Sequence, residues 1–369
     1  MNRGDEGGSG TGGSGTRDGR GGVNLPALRG HNDALVLDLL RGAGPAGLGR
    51  GELAGRTGLT PQAVSKITAR LRAEGLVAEA GREPSTGGKP RTLLRLAPGA
   101  RHAIGVQLDR DELTAVRVDL AGRVLERWRG PLDFGAGPEA VVEAVVRGVA
   151  RVADPAGPPL GVGVAAPGPL DWRAGVLGRV TGHPEWEGFP LREVLAGRLG
   201  APVRLDKDTN AGAAAAAGFG DGSAVYVHLG TGLGAGLRLG GEVYRGARSA
   251  AGEFGHQVLS LDGPPCRCGA RGCAEVLCLA AVARGDSARA ARIVGEAAAN
   301  LVALLDVDRV LLGGRVVAAA PEVFVDGVRA VLAARALTPA PPEVSLSPTS
   351  VAEGAAELAL TPFFGRGTP

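Results

Sequence analysis

Aromatic residues and lysine are scarce in this 369-residue chain. Phe, Trp and Tyr together make up 3% of it, so a core must be built from Ala, Val and Leu. Only Lys66, Lys89 and Lys207 are lysines, which leaves 38 arginines among 41 cationic side chains. No run of about 18 apolar residues occurs, so no membrane span is expected. The N-terminus lacks the charged-then-apolar pattern of a secretory leader. Cysteine is limited to four residues, too few for a disulfide scaffold, and all lie between 266 and 278. That clustering points to a metal site in a reducing compartment, and a cytoplasmic location is expected. A large excess of one charge is also missing. The balance of 41 Lys+Arg against 38 Asp+Glu leaves +3, which taken alone argues against a nucleic-acid partner.

What the chain has in quantity is glycine, 63 residues, with 25 prolines. Such a composition divides between disorder, turns and close backbone contacts. Residues 1–24 are nearly devoid of apolar side chains and read as a disordered tail. From about Leu25 the pattern becomes helical, with Ala34, Leu35, Leu37, Leu39 and Leu40 as a buried face. A short helix over Glu52–Thr57 is ended by Gly58. Thr60 then caps a third helix that has Pro61 at its first position and Val64, Ile67 and Leu71 as its inward stripe. Leu76–Ala78 and Thr92–Leu96 read as two short strands. Three helices and a two-stranded wing over residues 25–98 predict a winged helix-turn-helix.

Beyond Pro98 strands and helices alternate, as in an α/β protein long enough for two lobes. Ile104–Leu108, Thr114–Asp119 and Val124–Arg129 read as a strand meander. Leu160–Val164, Val203–Leu205, Ala224–Leu229 and Arg309–Leu312 read as further strands. Helices are expected over Glu139–Val152, Leu191–Leu199, Ala211–Gly218 and Ser287–Leu305.

The near-neutral total hides an uneven distribution. Residues 25–98 hold eleven Lys/Arg against six Asp/Glu, a net of +5, whereas residues 99–369 net −2. The basic charge therefore sits where phosphate contacts need it. In a helix-turn-helix the second helix enters the major groove by its N-terminal part. Its outward residues here are Gln62, Ala63, Ser65, Lys66, Ala69 and Arg70. Gln pairs with adenine, Lys with guanine, and Ala meets a thymine methyl. Arg70 is better placed for phosphate or solvent. Lys89 and Arg91, in a Gly/Pro loop, suit a minor-groove wing, with a solvated loop as the plain alternative.

His256, Cys266, Cys268 and Cys273 form the second constellation. Three thiolates and one imidazole suit a closed tetrahedral Zn2+ site, and Gly269 and Gly272 let the chain wrap it. A site with four protein ligands leaves no position for water, so the zinc reads as structural rather than hydrolytic. A redox-active cysteine cluster is the alternative. Cys278, on the apolar helix that follows, reads as a core residue.

These stretches resemble the ROK family of repressors and sugar kinases. The residues that carry the resemblance are Ala251–His256, Cys266–Glu275 and the glycine run Gly230–Gly236. Leu28–Asn32 and Gly87–Arg91 are similar to its repressor branch. The resemblance covers roughly residues 28–362. It implies an actin-like (ribonuclease H-like) two-lobed body behind the winged head. The small lobe would span about 99–218 plus a C-terminal helix at about 350–362, and the large lobe about 219–349. It also implies a sugar site at Glu253, His256 and Glu275, with the family's catalytic base at Asp208. His256 would then serve zinc through one nitrogen and sugar through the other.

The same resemblance exposes departures. Family kinases begin their body with Asp-x-Gly-Gly-Thr. Here Gln107-Leu108-Asp109-Arg110-Asp111 puts two carboxylates where a triphosphate should lie. Arg315 stands where a glycine is expected after Gly313-Gly314. Lys207 replaces the Asn that normally precedes the base. The run 230–236 survives, which turn geometry alone would explain, since Gly permits positive φ. The expected protein is therefore a sugar-responsive DNA-binding regulator, most simply a repressor of carbohydrate genes, without kinase activity. Its expected partners are a double-stranded operator, a sugar or sugar-phosphate effector and a second copy of itself, as dimer or tetramer. The alternatives are an active sugar kinase with a DNA-binding head, a zinc-controlled regulator and a ligand-independent regulator with a decayed pocket.

Overall fold

The head begins with α1 (Leu25–Ala43), whose Val36, Leu37 and Leu40 are buried. The computed structural model describes residues 25–83, 91–180, 182–215 and 222–366. The expected tail, Lys89 and the end of the Ala211–Gly218 helix lie outside these residues. After β1 (Leu48–Gly49) comes α2 (Arg50–Thr57), closed by Gly58 in the left-handed conformation at φ 70°. Thr60 accepts a hydrogen bond from the Ala63 N–H at 3.2 Å and so starts α3 (Pro61–Ala73). Val64, Ile67, Thr68 and Leu71 are its buried face. The wing is longer than its apolar residues suggested, with β2 (Val77–Glu83) antiparallel to β3 (Arg91–Leu96). β1 adds a third strand on the other edge of β3.

Two five-stranded sheets follow, and they share one topology. The first comprises β4 (His102–Leu108), β5 (Glu112–Asp119), β6 (Val124–Pro131) and, beyond α4 (Pro138–Val152), β7 (Val162–Ala166). A small hairpin of β8 (Leu170–Asp171) and β9 (Val176–Leu177) and then α5 (Leu191–Leu199) lead to β10 (Val203–Lys207) and α6 (Asp208–Ala214). The order is β10-β7-β4-β5-β6, antiparallel through β4, β5 and β6 and parallel through β4, β7 and β10.

The second sheet repeats the pattern. β11 (Ala224–Leu229), β12 (Leu233–Leu239) and β13 (Glu242–Tyr244) are antiparallel neighbours. α7 (Ala274–Ala283) and α8 (Ser287–Leu305) precede β14 (Arg309–Gly313). α9 (Arg315–Ala319) and α10 (Pro321–Ala334) precede β15 (Glu343–Leu346), and α11 (Val351–Leu360) ends the fold. The order is β13-β12-β11-β14-β15, with β14 and β15 parallel to β11. Among the described residues no helix is long and apolar enough to cross a membrane.

Glycine decides how these layers meet. A β-carbon at Gly105 or Gly163, in β4 and β7, would lie 1.9 or 1.8 Å from carbonyl oxygens of α11. One at Gly354 of α11 would lie 1.8 Å from the Ala211 carbonyl oxygen of α6, and one at Gly236 of β12 would lie 1.9 Å from that of Thr209. The two helices are thus pressed between the sheets with backbone against backbone. The run 230–236 is corrected on this point. It is not a turn that needs positive φ, because Leu233–Leu239 is strand and neither Gly234 nor Gly236 has positive φ. Its later glycines make room for Thr209.

The head is not a separate bead. Leu37 and Leu40 share one buried cluster with Val116 and Leu120 of the first sheet and Ala356, Leu360 and Phe364 at the C-terminal end. Arg41 donates two hydrogen bonds to Glu357 of α11, at 2.7 and 2.6 Å, and lies 4.6 Å from the Phe364 ring centre. Arg366 pairs with Asp38 at 2.7 Å.

The packing makes a contrast between two helical glycines. Gly354→Ala forces a methyl into the Ala211 carbonyl and is expected to destabilise the protein by about 1–3 kcal/mol. Gly197→Ala in α5 meets nothing within 4 Å and is expected to be neutral or stabilising by up to about 1 kcal/mol. Urea unfolding of both variants checks the pair; equal stabilities would contradict the account.

Candidate metal centre and interlobe cleft

The strongest site is a knuckle in the large lobe. One ligand atom from each of His256, Cys266, Cys268 and Cys273 falls in a group whose members all lie within 4.8 Å of one another. Cys266 Sγ is 3.6 Å from His256 Nδ1, and Cys268 Sγ is 3.6 Å from Cys273 Sγ. A tetrahedral centre with metal–sulfur bonds of about 2.3 Å spaces its ligand atoms by roughly 3.5–3.8 Å. The donor set therefore fits a metal ion. Local backbone bonds shape it: the Cys266 N–H donates to the Ala270 carbonyl at 2.8 Å, and the Cys273 residue immediately precedes α7. Gly272, at φ 64°, lets Ser260 approach to where a side chain would stand. Burial, and then the neighbouring Cys268 and Cys266, push the Cys273 thiol up to about 12. A bound cation would favour the thiolate forms. Cys278 is buried in α7, with its thiol 3.9 Å from the Ala290 carbonyl of α8, a core position.

The expected sugar residues border this centre. His256 turns Nδ1 to the sulfurs and Nε2 toward Glu253, 4.0 Å from Oε2. Gly255, against which a side chain would strike the Leu233 carbonyl, brings this turn close to the β-carbon of Glu275. Glu275 in turn accepts the Leu233 N–H at 3.0 Å. Asp208 opens α6 and accepts the Thr209 N–H at 2.6 Å. Desolvation raises its pKa, against the pull of His228 and Lys207. Lys207 links the two groups. Its side chain is 9% exposed, and its Nζ donates to Glu253 Oε1 at 2.7 Å. The lysine thus occupies the carboxylate that the resemblance assigns to sugar.

At the other end of the cleft, the altered phosphate turns meet one another. Asp111 accepts both of its bonds from Arg315 Nη1, at 3.0 and 2.8 Å, and the Arg315 hydrogen bond holds Asp111 below the usual carboxylate range. Thr231 Oγ1 donates to Asp109 Oδ1 at 3.3 Å. The carboxylates read from sequence as repelling a triphosphate are thus bound across the cleft. Arg315, noted only as a misplaced side chain, is the partner of one of them.

Sequence reasoning overlooked Tyr226 and His228. Their Oη and Nδ1 are 3.0 Å apart, and the Tyr226 phenol pKa is raised, by burial first and by Asp208 second. The signal was the period of two in β11, which sets Tyr226 and His228 on the face opposite Val225, Val227 and Leu229.

On the head, Gln62, Ser65, Lys66, Ala69 and Arg70 of α3 are exposed and Ala63 is half-buried. Arg70 is ion-paired with Asp33 of α1, and Arg72 with Glu79 at 2.9 Å. Arg91 is exposed at the start of β3.

The model of the ROK family matches residues 103–285. The chain is 25% identical over 237 residues to the xylose repressor of Bacillus spizizenii (strain ATCC 23059 / NRRL B-14472 / W23), covering 62% of this chain and 61% of that protein. It spans about three fifths of the length of the curated relatives that head the comparison. Among solved structures, a ROK hexokinase from Thermus thermophilus is 30% identical, with 69% of this chain and 97% of that chain covered and a TM-score of 0.56. A ROK family transcriptional regulator, a homologue of the E. coli MLC protein, is similar in fold, with TM-score 0.74 at 20% identity. That match covers 91% of this chain and 97% of the other.

Metal removal provides the direct check on the knuckle. Cys268→Ser is expected to lower bound metal from one ion per chain toward zero and to drop the melting temperature by several degrees. Because protons compete for thiolates, occupancy should also fall as pH falls. Elemental analysis with scanning calorimetry reads both, and full occupancy in the variant would refute the ligand set.

Proposed function

The chain belongs to the ROK family, and from that membership we propose that it is a sugar-responsive, DNA-binding transcriptional regulator that transfers no phosphoryl group. The observation that carries this reading is the cross-lobe pairing of Asp111 with Arg315. Phosphoryl transfer depends on holding a nucleotide's phosphates between such turns. Here a carboxylate and a guanidinium stand in that place and satisfy each other. The direction is supported by the xylose repressor among the relatives.

In this reading α3 enters a major groove. Gln62, Ala63, Ser65 and Lys66 near its start read bases, and Lys89 and Arg91 reach the backbone or the minor groove. Arg70, held by Asp33, contributes through its position beside phosphate rather than as a mobile cation. Two heads of a homodimer, or of a tetramer built from dimers, face the half-sites of a pseudo-palindromic operator. His256, Cys266, Cys268 and Cys273 hold a structural Zn2+. Zinc would supply no chemistry to a reaction here; it would fix the ring of His256, the turn that carries Glu253 and the start of α7, which carries Glu275. Asp208, Glu253, His256 and Glu275 bind a sugar or sugar phosphate. That ligand shifts the DNA affinity by the difference in its own affinity for two arrangements of the lobes. Thiolate ligands and a DNA partner suit a reducing, cytoplasmic compartment.

A second reading rests on one contact. Lys207 neutralises Glu253, as it would in a regulator whose pocket no longer takes sugar. Lys207→Asn distinguishes the two. In a sugar-responsive protein, some sugar raises the melting temperature of the native chain by mass action, and the variant changes that shift. A pocket that has decayed gives no shift with any sugar in the native chain.

Operator binding is the further test, on sites found by genome-wide mapping. Lys66→Ala is expected to weaken binding by about 1–3 kcal/mol if it reads a base, and Lys89→Ala with Arg91→Ala to reduce the salt slope by roughly one per lost phosphate contact. Unchanged binding in the triple variant would overturn the placement of the DNA surface. ATP-dependent phosphorylation of a hexose, abolished by Asp208→Ala, would overturn the regulator reading itself.

A further inference from the structure

We infer a second ligand site, for a multiply charged anion bearing phosphate groups, in a cavity that lies apart from the cleft. The cavity has a volume of about 1030 Å3, enough for a small metabolite. It is bounded by the edge strands of both sheets, β10 and β13, by the β8–β9 hairpin and by the end of α11. Six arginines line it; Arg245 and Arg366 are ion-paired with Asp206 and Asp38 and Arg238 has a partner of its own, which leaves Arg173, Arg192 and Arg204 with no carboxylate partner among the described residues.

Two of the three lining carboxylates are already engaged. Asp206 is taken by Arg245, at 2.7 Å. Glu357 is turned to Arg41 of α1, outside the lining. Glu242 is exposed. Arg204 makes no hydrogen bond or ion pair among the described residues. Its pKa is lowered, first by desolvation and then by repulsion from Arg245 and Arg192. Cations crowded in this way are relieved by an anion between them, and guanidinium groups bind phosphate through paired N–H donors.

The wall is also built for an acceptor-rich ligand. Arg192 donates to the carbonyls of Trp172, Arg173 and Ala174 at 3.2, 2.8 and 2.9 Å, which fixes the turn of the hairpin. Arg245 and Arg173 lie 4.5 and 4.9 Å from the Trp172 ring centre. The Trp172 indole Nε1 is buried with no acceptor. A buried donor without a partner is uncommon in a folded protein, and it leaves the hairpin with a polar group still to be satisfied.

Occupancy would reach the head. Glu357 and Arg366 both line the cavity, and both hold α1, through Arg41 and Asp38. A phosphate that draws Arg366 inward releases Asp38 and loosens the seat of α1. The site thus gives a phosphorylated metabolite a route to operator affinity that bypasses Glu253 and His256.

The test is calorimetric titration of the full chain with inorganic pyrophosphate. Saturable binding of one pyrophosphate per chain is expected, weakening as salt rises, with a change in Trp172 emission that is lost in Trp172→Phe. Arg173→Ala with Arg204→Ala should weaken it at least tenfold while melting temperature and metal content stay at native values. Arg173→Ala alone, at an exposed position, should weaken it severalfold and serves if the double variant fails to fold. Glu253→Gln, in the cleft, should leave it unchanged. Absence of saturable heat at millimolar pyrophosphate, undiminished binding in the arginine variants, or loss of binding in Lys66→Ala instead would each overturn the assignment.

Discussion

The contact between α6 and α11 is the constraint on which the rest of this molecule depends. Each helix lies against a different sheet, and they meet where Gly354 leaves room for the Ala211 carbonyl. Gly105, Gly163 and Gly236 do the same where strands meet these helices. Backbones this close make dispersion contacts along their whole length and leave no space for larger side chains. That is how a protein with so few aromatics holds together on a core of alanine, valine and leucine. It is also why Asp208, at the start of α6, and Glu357, near the end of α11, belong to one rigid unit.

From that unit the functional parts extend in two directions. Toward the cleft, α6 presents Asp208, with Lys207 just before it reaching across to Glu253. Toward the head, α11 holds α1 through Glu357 and Arg41. This ion pair is largely shielded from water, where removing one partner leaves a costly unpaired charge. A change in how the lobes sit on α6 and α11 is therefore felt at α1, and α1 shares its buried cluster with α3. This continuous packing is a physical path that connects the cleft with the head.

The cleft shows how charged side chains on facing turns become a structural feature. Two carboxylates facing a cleft would repel each other as well as any phosphate. Arg315 and Thr231 bind them from the opposite lobe, so the altered turns support one another. The metal knuckle serves the same cleft from the other side. Its backbone bridges, Val258 with Cys273 and Pro265 with Arg271, hold the turn before α7 and so the position of Glu275.

Much of this was legible in the sequence. The caps at Gly58, Thr60 and Pro61, the spacing of Val64, Ile67 and Leu71, and the helix and strand limits at Leu191–Leu199 and Ala224–Leu229 depend on neighbours within one or two turns. The grouping of His256 with three cysteines was visible because few residue types bind metals at such spacing. The partners of charges were not visible. Asp111 and Arg315 are 204 positions apart, and Arg41 and Glu357 are 316 apart. Nor did the glycines at 234 and 236 declare their role, since only a neighbouring helix shows whether a missing side chain serves a turn or a close approach. The sequence by itself determined the local elements, the ligand set and the uneven charge of head and body, because those follow from short-range geometry and composition. Tertiary structure alone decided which charges neutralise each other, where six arginines gather around one cavity, and that the head is fastened to the body, because Coulomb and packing energies depend on distance in space.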